Sequence, residues 1–520
     1  MPAAEASGGP ALLLVADRVR TLDARRPEAR AVLVDSGRVR WVGKDPSDAP
    51  AGARRIDLAG TVLQPAFVDA HVHLTATGLL LGGLDLSVCR SVEDCLASVA
   101  AIADVTPGRV IWGSGWDDLA YPEGRPPTAE ELARAAGGRP VLLTRADGHS
   151  AVIDRISLET APLARAEGVE RDSDGHPTGL LRREAAHVAR RWFSAELPQA
   201  QLREARALVA RHAASLGIAS VHEMNGPDQM GAEDFDAWRQ GHWPIEVVPY
   251  WGATDLDFVA ARGLRQVGGA LLLDGTLGSH TAALEEDYAD TAGAGHLYEA
   301  DTDLVAFVSE ATRQRVQVGL HCIGDRAVRQ AVEILEAVAG RCGLAAVHAA
   351  RHRLEHCALV ATPLIPRLAA LGVVASVQPT FDIMWGRRGG LYQRRLGAQR
   401  AERMNPLGPL VDAGVCLAFG SDVTATTLDP WAAIHAAVHH HRPAFRLDPE
   451  TALEAATVGG RRAARQDAVG RIAPGQRADL AAFQIDGDHA EACVLTVVRG
   501  QVVHGPPVPA AAGRAQGARA

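Results

Sequence analysis

The sequence predicts an α/β protein whose long middle is a parallel sheet or barrel and whose two ends are rich in strands. Three observations carry this. From about residue 65 to 469, short apolar runs alternate with helical patterns, the alternation that builds parallel sheets. Residues ~10–64 and ~470–504 instead hold short strands separated by turn signals. The 520 residues are 47% hydrophobic and 22% charged, enough apolar material for a large core.

The elements follow in order. The run Ala11 to Ala16 is too short for a signal or transmembrane helix and lacks a basic flank and a cleavage site, so it reads as a first strand. Ala31-Val32-Leu33-Val34 and Val39-Arg40-Trp41-Val42 follow, split by the turn Asp35-Ser36-Gly37. Phe67-Val68-Asp69-Ala70-His71-Val72-His73 is an apolar strand that ends in His-x-His. A bare (β/α)₈ barrel takes roughly 250 residues, and residues 65–469 exceed that by about 150. The excess falls at about 80–200, which holds Trp112, Trp116 and the turn-rich Tyr121 to Pro127. We expect it to be an insertion that roofs the mouth of the site. Val316 to Leu320 reads as a strand with a helix from about Arg326, and Val373 to Val377 as another strand. Ala478 to Phe483 and Val494 to Val498 close the strand-rich end. The expected domains are 1–64 plus 470–505, and 65–469. The Pro-, Ala- and Gly-rich tail 506–520 reads as disordered.

A net charge of −9 gives no basic footprint for nucleic acid and no polybasic membrane patch, which leaves a small molecule as the expected partner. The seven cysteines are scattered, odd in number and without a Cys-x-x-Cys, which points to a reducing cytoplasm rather than a disulfide framework.

The chemistry begins at His71 and His73. Residues i and i+2 of a strand face the same way, so both imidazoles aim at one point. Three later strand ends carry further ligand types: Leu320-His321-Cys322, Arg353-Leu354-Glu355-His356 and Phe419-Gly420-Ser421-Asp422. His321 and His356 lie 35 residues apart, about one βα unit, and Asp422 lies 66 further on, about two. All five would then meet at the C-terminal rim, where barrel active sites form. His439-His440-His441 is assigned no role.

With these motifs the chain resembles the amidohydrolase superfamily, in its branch of N-substituted formamide deformylase-like, or YtcJ-like, proteins. The resemblance spans nearly the whole chain. It is carried by Leu63 to His73, Asp147-Gly148-His149-Ser150, Pro177-Thr178-Gly179-Leu180, Asp274 to Ser279, His321 to Val328, Gln378-Pro379, Gly420-Ser421-Asp422 and Pro474 to Leu480. It implies a metal-dependent (β/α)₈ TIM barrel with a small β-sandwich built from both chain ends. It also implies metal ligands at His71, His73, His321, His356 and Asp422, and dimers are common in the superfamily. The branch usually carries a lysine four residues before Asp274-Gly275, which bridges two metals when carboxylated. Here that position is Ala270. Three options stay open: one metal, a substitute carboxylate from Glu184 or Glu223, or a degraded site. We favour one divalent metal per chain, zinc first. His280 stands where the family often has arginine.

The expected reaction is hydrolysis of a non-peptide C–N bond in an amide, an N-substituted formamide or a cyclic amide. Asp422 would act as ligand and base, with His321 or His356 stabilising the developing oxyanion. Trp112, Trp116, His149, Asp274, His280, Gln378 and Trp385 are the candidate substrate contacts. The competing readings are a ring-amidine deaminase and a metal-poor protein that binds a ligand without turnover.

Overall fold

The structure is a computed structural model that describes residues 11–506, apart from 107, 119, 120, 146–149, 228, 487 and 488. His149 and residues 507–520 therefore lie outside the described residues.

Both chain ends meet in one seven-stranded sheet. Its order is Gln501–His504, His489–Val498, Leu480–Asp486, Arg54–Pro65, Leu12–Val19, Ala29–Asp35, Arg38–Gly43. The join is antiparallel, with Leu480 opposite Pro65 and Ala482 opposite Leu63. Alternation puts Leu14, Val32, Leu63, Ala482 and Leu495 on one buried face. The two ends thus share a core although more than 400 residues separate them in sequence.

Eight strands of the middle run parallel to their neighbours. We number them β1 (Phe67–Val72), β2 (Ile218–Asn225), β3 (Glu246–Trp251), β4 (Gln266–Leu272), β5 (Gln317–Cys322), β6 (Arg353–His356), β7 (Val374–Val377) and β8 (Cys416–Phe419). One sheet has the order β3-β2-β1 and another β4-β5-β6-β7-β8. β1, β2, β5, β6 and β7 are buried at every position, as expected of parallel strands covered on both faces. The two sheets touch at both seams. After β3, Gly252 lies against Ala270 of β4, so closely that a Cβ there would come within 2.9 Å of the alanine methyl. After β8, the Asp422 N–H donates to the His71 carbonyl at 2.7 Å.

Residues 84–181 build a six-stranded sheet of their own. Its order is Val169–Arg171, Pro177–Leu181, Ala151–Ile153, Val141–Arg145, Ile111–Trp116, Leu84–Asp85. Strand alternation splits its core in two. Val141 and Leu143 pack with Trp116 and, from the helix Val92–Val105, Cys95 and Val99. Leu142 faces the other way onto Ala185, Ala189 and Phe193 of the helix Arg183–Glu196.

The chain's C-terminal part is tied to the parallel strands by buried charge. Arg461, 1% exposed, donates to Glu246 at the start of β3 and to Asp479 Oδ2 at 2.7 Å. Arg477 donates to the same two carboxylates. Burial alone would raise the Glu246 pKa, but Arg461, Arg477 and Arg499 hold it well below its usual range. A carboxylate depressed in the folded state contributes stability above its ordinary pKa and loses it as pH falls through the folded value. We therefore expect Glu246→Gln to cost about 3–5 kcal/mol at pH 7. The gap between native protein and variant should narrow as pH drops below the ordinary 4.5. Urea unfolding of both proteins between pH 7 and pH 3 measures it.

Candidate metal centre and its cavity

Local geometry at the ends of β1 and β8 brings His71, His73 and Asp422 together. Asp69 is buried in β1, and its Oδ1 accepts the N–H of His71 at 3.1 Å and of Ser421 at 3.0 Å. Gly420 is a glycine for a steric reason: a Cβ there would lie 2.6 Å from the nitrogen and Cβ of His71. Asp422 and His356 both hold positive φ, 53° and 66°. Non-glycine residues rarely stay there unless their surroundings enforce it, and such strain gathers at functional sites.

The ligand atoms of His71, His73 and Asp422 lie within 4.8 Å of one another. His71 Nε2 stands 3.5 Å and His73 Nε2 3.4 Å from Asp422 Oδ1. Each imidazole commits its other nitrogen to an acceptor. His73 Nδ1 faces the Met224 carbonyl at 2.7 Å, and a carbonyl can only accept, so Nδ1 carries the proton. His71 Nδ1 faces Glu355 Oε2 at 2.8 Å. His356 Nδ1 faces Gln378 Oε1, also at 2.8 Å. These partners fix the tautomers so that the Nε2 lone pairs are available, as second-layer groups do at metal centres. The donor set therefore fits a divalent ion. The His356 ring lies 4.9 Å from that of His71 and 4.4 Å from that of His321, so these two histidines stand beside the three-residue group without being part of it. Among the described residues His321 Nδ1 has no hydrogen-bond partner, and it stands 3.6 Å from Asp274 Oδ1.

The charges are set by the same contacts. Burial would raise the Glu355 pKa, but Arg353, donating to both carboxylate oxygens, and His71 bring it down to about 2. Burial, and then the neighbouring His321 and His71, push His356 down to about 3, so its ring is neutral at pH 7. Burial opposes ionisation of Asp422, yet the hydrogen bond with His73 and the nearby imidazoles hold its pKa well below the carboxylate range.

The site opens into a cavity of about 2590 Å³ whose wall includes His73, His321, His356 and Asp422. The candidate substrate contacts divide. Trp112 and Trp385 are on the wall, and Trp385 leans on Phe381, which stacks on His356. Trp116 is not on it; its ring belongs to the core of the six-stranded sheet and its Nε1 donates to the Leu143 carbonyl at 2.9 Å. Gln378 is buried behind His356. Asp274 is fully buried and saturated by the N–H groups of Ala283, Ile323 and Gly324, so it ties the loop after β4 to the end of β5. His280 bonds Asp290 at 3.0 Å in a loop off the wall.

The two carboxylates considered in place of the missing lysine also separate. Glu184 is exposed and accepts the Glu167 N–H at 3.2 Å, away from the cavity wall. Glu223, at the end of β2, lines the cavity, but its Oε2 accepts the Leu74 N–H at 2.6 Å and it stands outside the three-residue ligand group. Burial, and then Asp234, raise its pKa to about 8. Ala270 packs against Gly252 beside a bulge where Gly268 and Gly269 hold φ of 83° and 77°.

Sequence reasoning passed over Glu355 and Arg353. The signal was present: two opposite charges at i and i+2 of a short strand lie on one face, where they can pair.

Parallel strands with a His-x-His at the end of the first and an aspartate after the last are the framework of a metal-dependent hydrolase, and known proteins match it. The chain belongs to the amidohydrolase family, whose model matches residues 54–504. It is 26% identical to the putative amidohydrolase YtcJ of Bacillus subtilis, over 91% of this chain and 96% of that protein. It is 24% identical to the N-substituted formamide deformylase of Arthrobacter pascens, over 85% and 86%. Among solved structures, an uncharacterized metal-dependent hydrolase from Pyrococcus furiosus superposes with a TM-score of 0.77 at 27% identity, covering 92% of this chain and 99% of that one. No helix among the described residues is long and apolar enough to cross a membrane.

If Glu355 orients His71, Glu355→Gln should weaken zinc binding about 10–100-fold. Competition with a chromophoric chelator, on variant shown to be folded by circular dichroism, measures the change.

Proposed function

We propose that this chain is a metal-dependent hydrolase of a non-peptide C–N bond in a small amide, N-substituted formamide or cyclic amide. In this reading β1 to β8 close into one barrel, residues 65–469 form the catalytic domain, and residues 84–181 lie within an insertion over its mouth. The observation that carries the proposal is the convergence of His71, His73 and Asp422 within 4.8 Å, with the opposite nitrogen of each histidine already bonded. The formamide deformylase among the relatives supports the bond type.

His71, His73, His321, His356 and Asp422 would hold one divalent ion, zinc by our reading. Such an ion supplies Lewis acidity: it polarises a carbonyl and lowers the pKa of water from near 16 to about 7. The residues do the rest. Asp422, ionised at neutral pH, takes the proton of the attacking water and passes it to the leaving nitrogen. His321, on the cavity wall beside His356, is placed to donate to the oxyanion if it is not itself a ligand. Glu355 and Gln378 keep their histidines in one tautomer. A single ion is favoured because Ala270 offers no donor and Glu223 is engaged by Leu74 N–H.

Two measurements test this. Protein purified after growth with added zinc should carry about one metal per chain; two would overturn the single-ion reading, and none the hydrolase reading. Asp422→Asn should fold normally and lose about 10²–10⁴-fold in turnover on whichever member of a panel of formamides, acyl amides and cyclic amides the native enzyme cleaves. Release of formate or a carboxylic acid supports amide hydrolysis, whereas release of ammonia identifies a ring-amidine deaminase.

A further inference from the structure

We propose that the cavity wall formed after β7 binds a carboxylate, so that the substrate is an amide whose apolar body carries an acidic group. This rests on the hydrolase reading above and narrows its substrate class.

The helix Thr380–Trp385 follows β7 and exposes two large apolar side chains, Ile383 at 49% and Met384 at 43%. Both line the cavity, as does Trp385. Directly after them come Arg387 and Arg388, and then Arg394 in the helix Leu391–Ala401. All three arginines are exposed and on the wall. Their guanidinium groups have no hydrogen bond or ion pair among the described residues, whereas neighbouring Arg395 is taken up by Leu277 O, Gly278 O and Asp290.

A second segment brings charge of the same sign. The helix Arg183–Glu196 also places Arg190 and Arg191 on the lining of the cavity, each of them engaged by a partner within the protein. Among the described residues, the acidic side chains of the wall are Asp85, Glu223 and Asp422, and the last two belong to the metal end. In a chain of net charge −9 this surplus of arginine is a local design rather than background. A concave low-dielectric wall focuses such a field and raises the local concentration of anions. The fork of a guanidinium matches the two oxygens of a carboxylate, and the apolar patch beside it takes an alkyl or aryl body.

Matched pairs test the proposal: N-formyl-, N-acetyl- and N-benzoyl-phenylalanine, each against its carboxamide. With zinc-loaded native enzyme, kcat/KM for an acid should exceed that for its carboxamide by about tenfold or more, and added salt should shrink the ratio. In the double variant Arg387→Gln/Arg388→Gln the ratio should fall toward one, mostly through KM for the acid. Cleavage of both members without preference, or a ratio unmoved in the variant, overturns the carboxylate site and leaves the hydrolase reading standing. If neither member is cleaved, calorimetry decides: acid-selective binding lost in the double variant supports the carboxylate site on its own and counts against the hydrolase reading. Absence of acid-selective binding overturns the proposal.

Discussion

One buried ion pair holds the centre of this molecule in register. Arg353 and Glu355 lie two residues apart on β6, both fully buried, and face each other. The guanidinium also donates to the Ala70 carbonyl of β1, to Ser376 Oγ of β7, to the Tyr250 hydroxyl of β3 and, on β2, to His222 Nδ1. Five strands therefore converge on one side chain. Burying an arginine is tolerable only with such complete pairing. The return is positional: Glu355 stays ionised, accepts from His71 Nδ1 and leaves Nε2 facing Asp422. The electrostatics of the strand interior and the orientation of the first metal-ligand candidate are one arrangement.

The parts of the candidate site legible in the sequence were those carried by period. His-x-His at the end of an apolar strand and the spacing of His321, His356 and Asp422 by one and then two βα units needed only strand alternation and the length of such a unit. The roles of the tryptophans were not legible. Trp112 and Trp116 sit in one strand, Ile111–Trp116, and would share a face by simple alternation. That strand shifts register between Ser114 and Trp116, at Gly115 with φ of 98°, so one ring lines the cavity and the other enters the core. Asp274 misled for a related reason. An acid near strand ends looks like a substrate contact, but two of its three backbone donors, Ile323 and Gly324, come from residues about 50 positions along the chain.

The end strands illustrate the opposite case. Their alternation marks them as strands in isolation, but only the pairing of Leu480–Asp486 with Arg54–Pro65 shows that they form one sheet. The charged knot of Glu246, Arg461, Arg477 and Asp479 was invisible for the same reason: its members are spread over more than 230 residues.

The hydrogen bond from Ser421 N to Asp69 Oδ1 has a consequence for biosynthesis. It spans 352 residues, and the neighbouring pair His71 and Asp422 spans nearly as many. Contacts of such separation form only after the intervening loop-closure entropy has been met. A growing chain on the ribosome presents His71 and His73 early, as an incomplete pair of imidazoles with little hold on a metal. The aspartate that completes the group emerges only when the last parallel strand has been made. A metal held by this group would be captured only once residue 422 has been made, and a chain truncated before it lacks that aspartate.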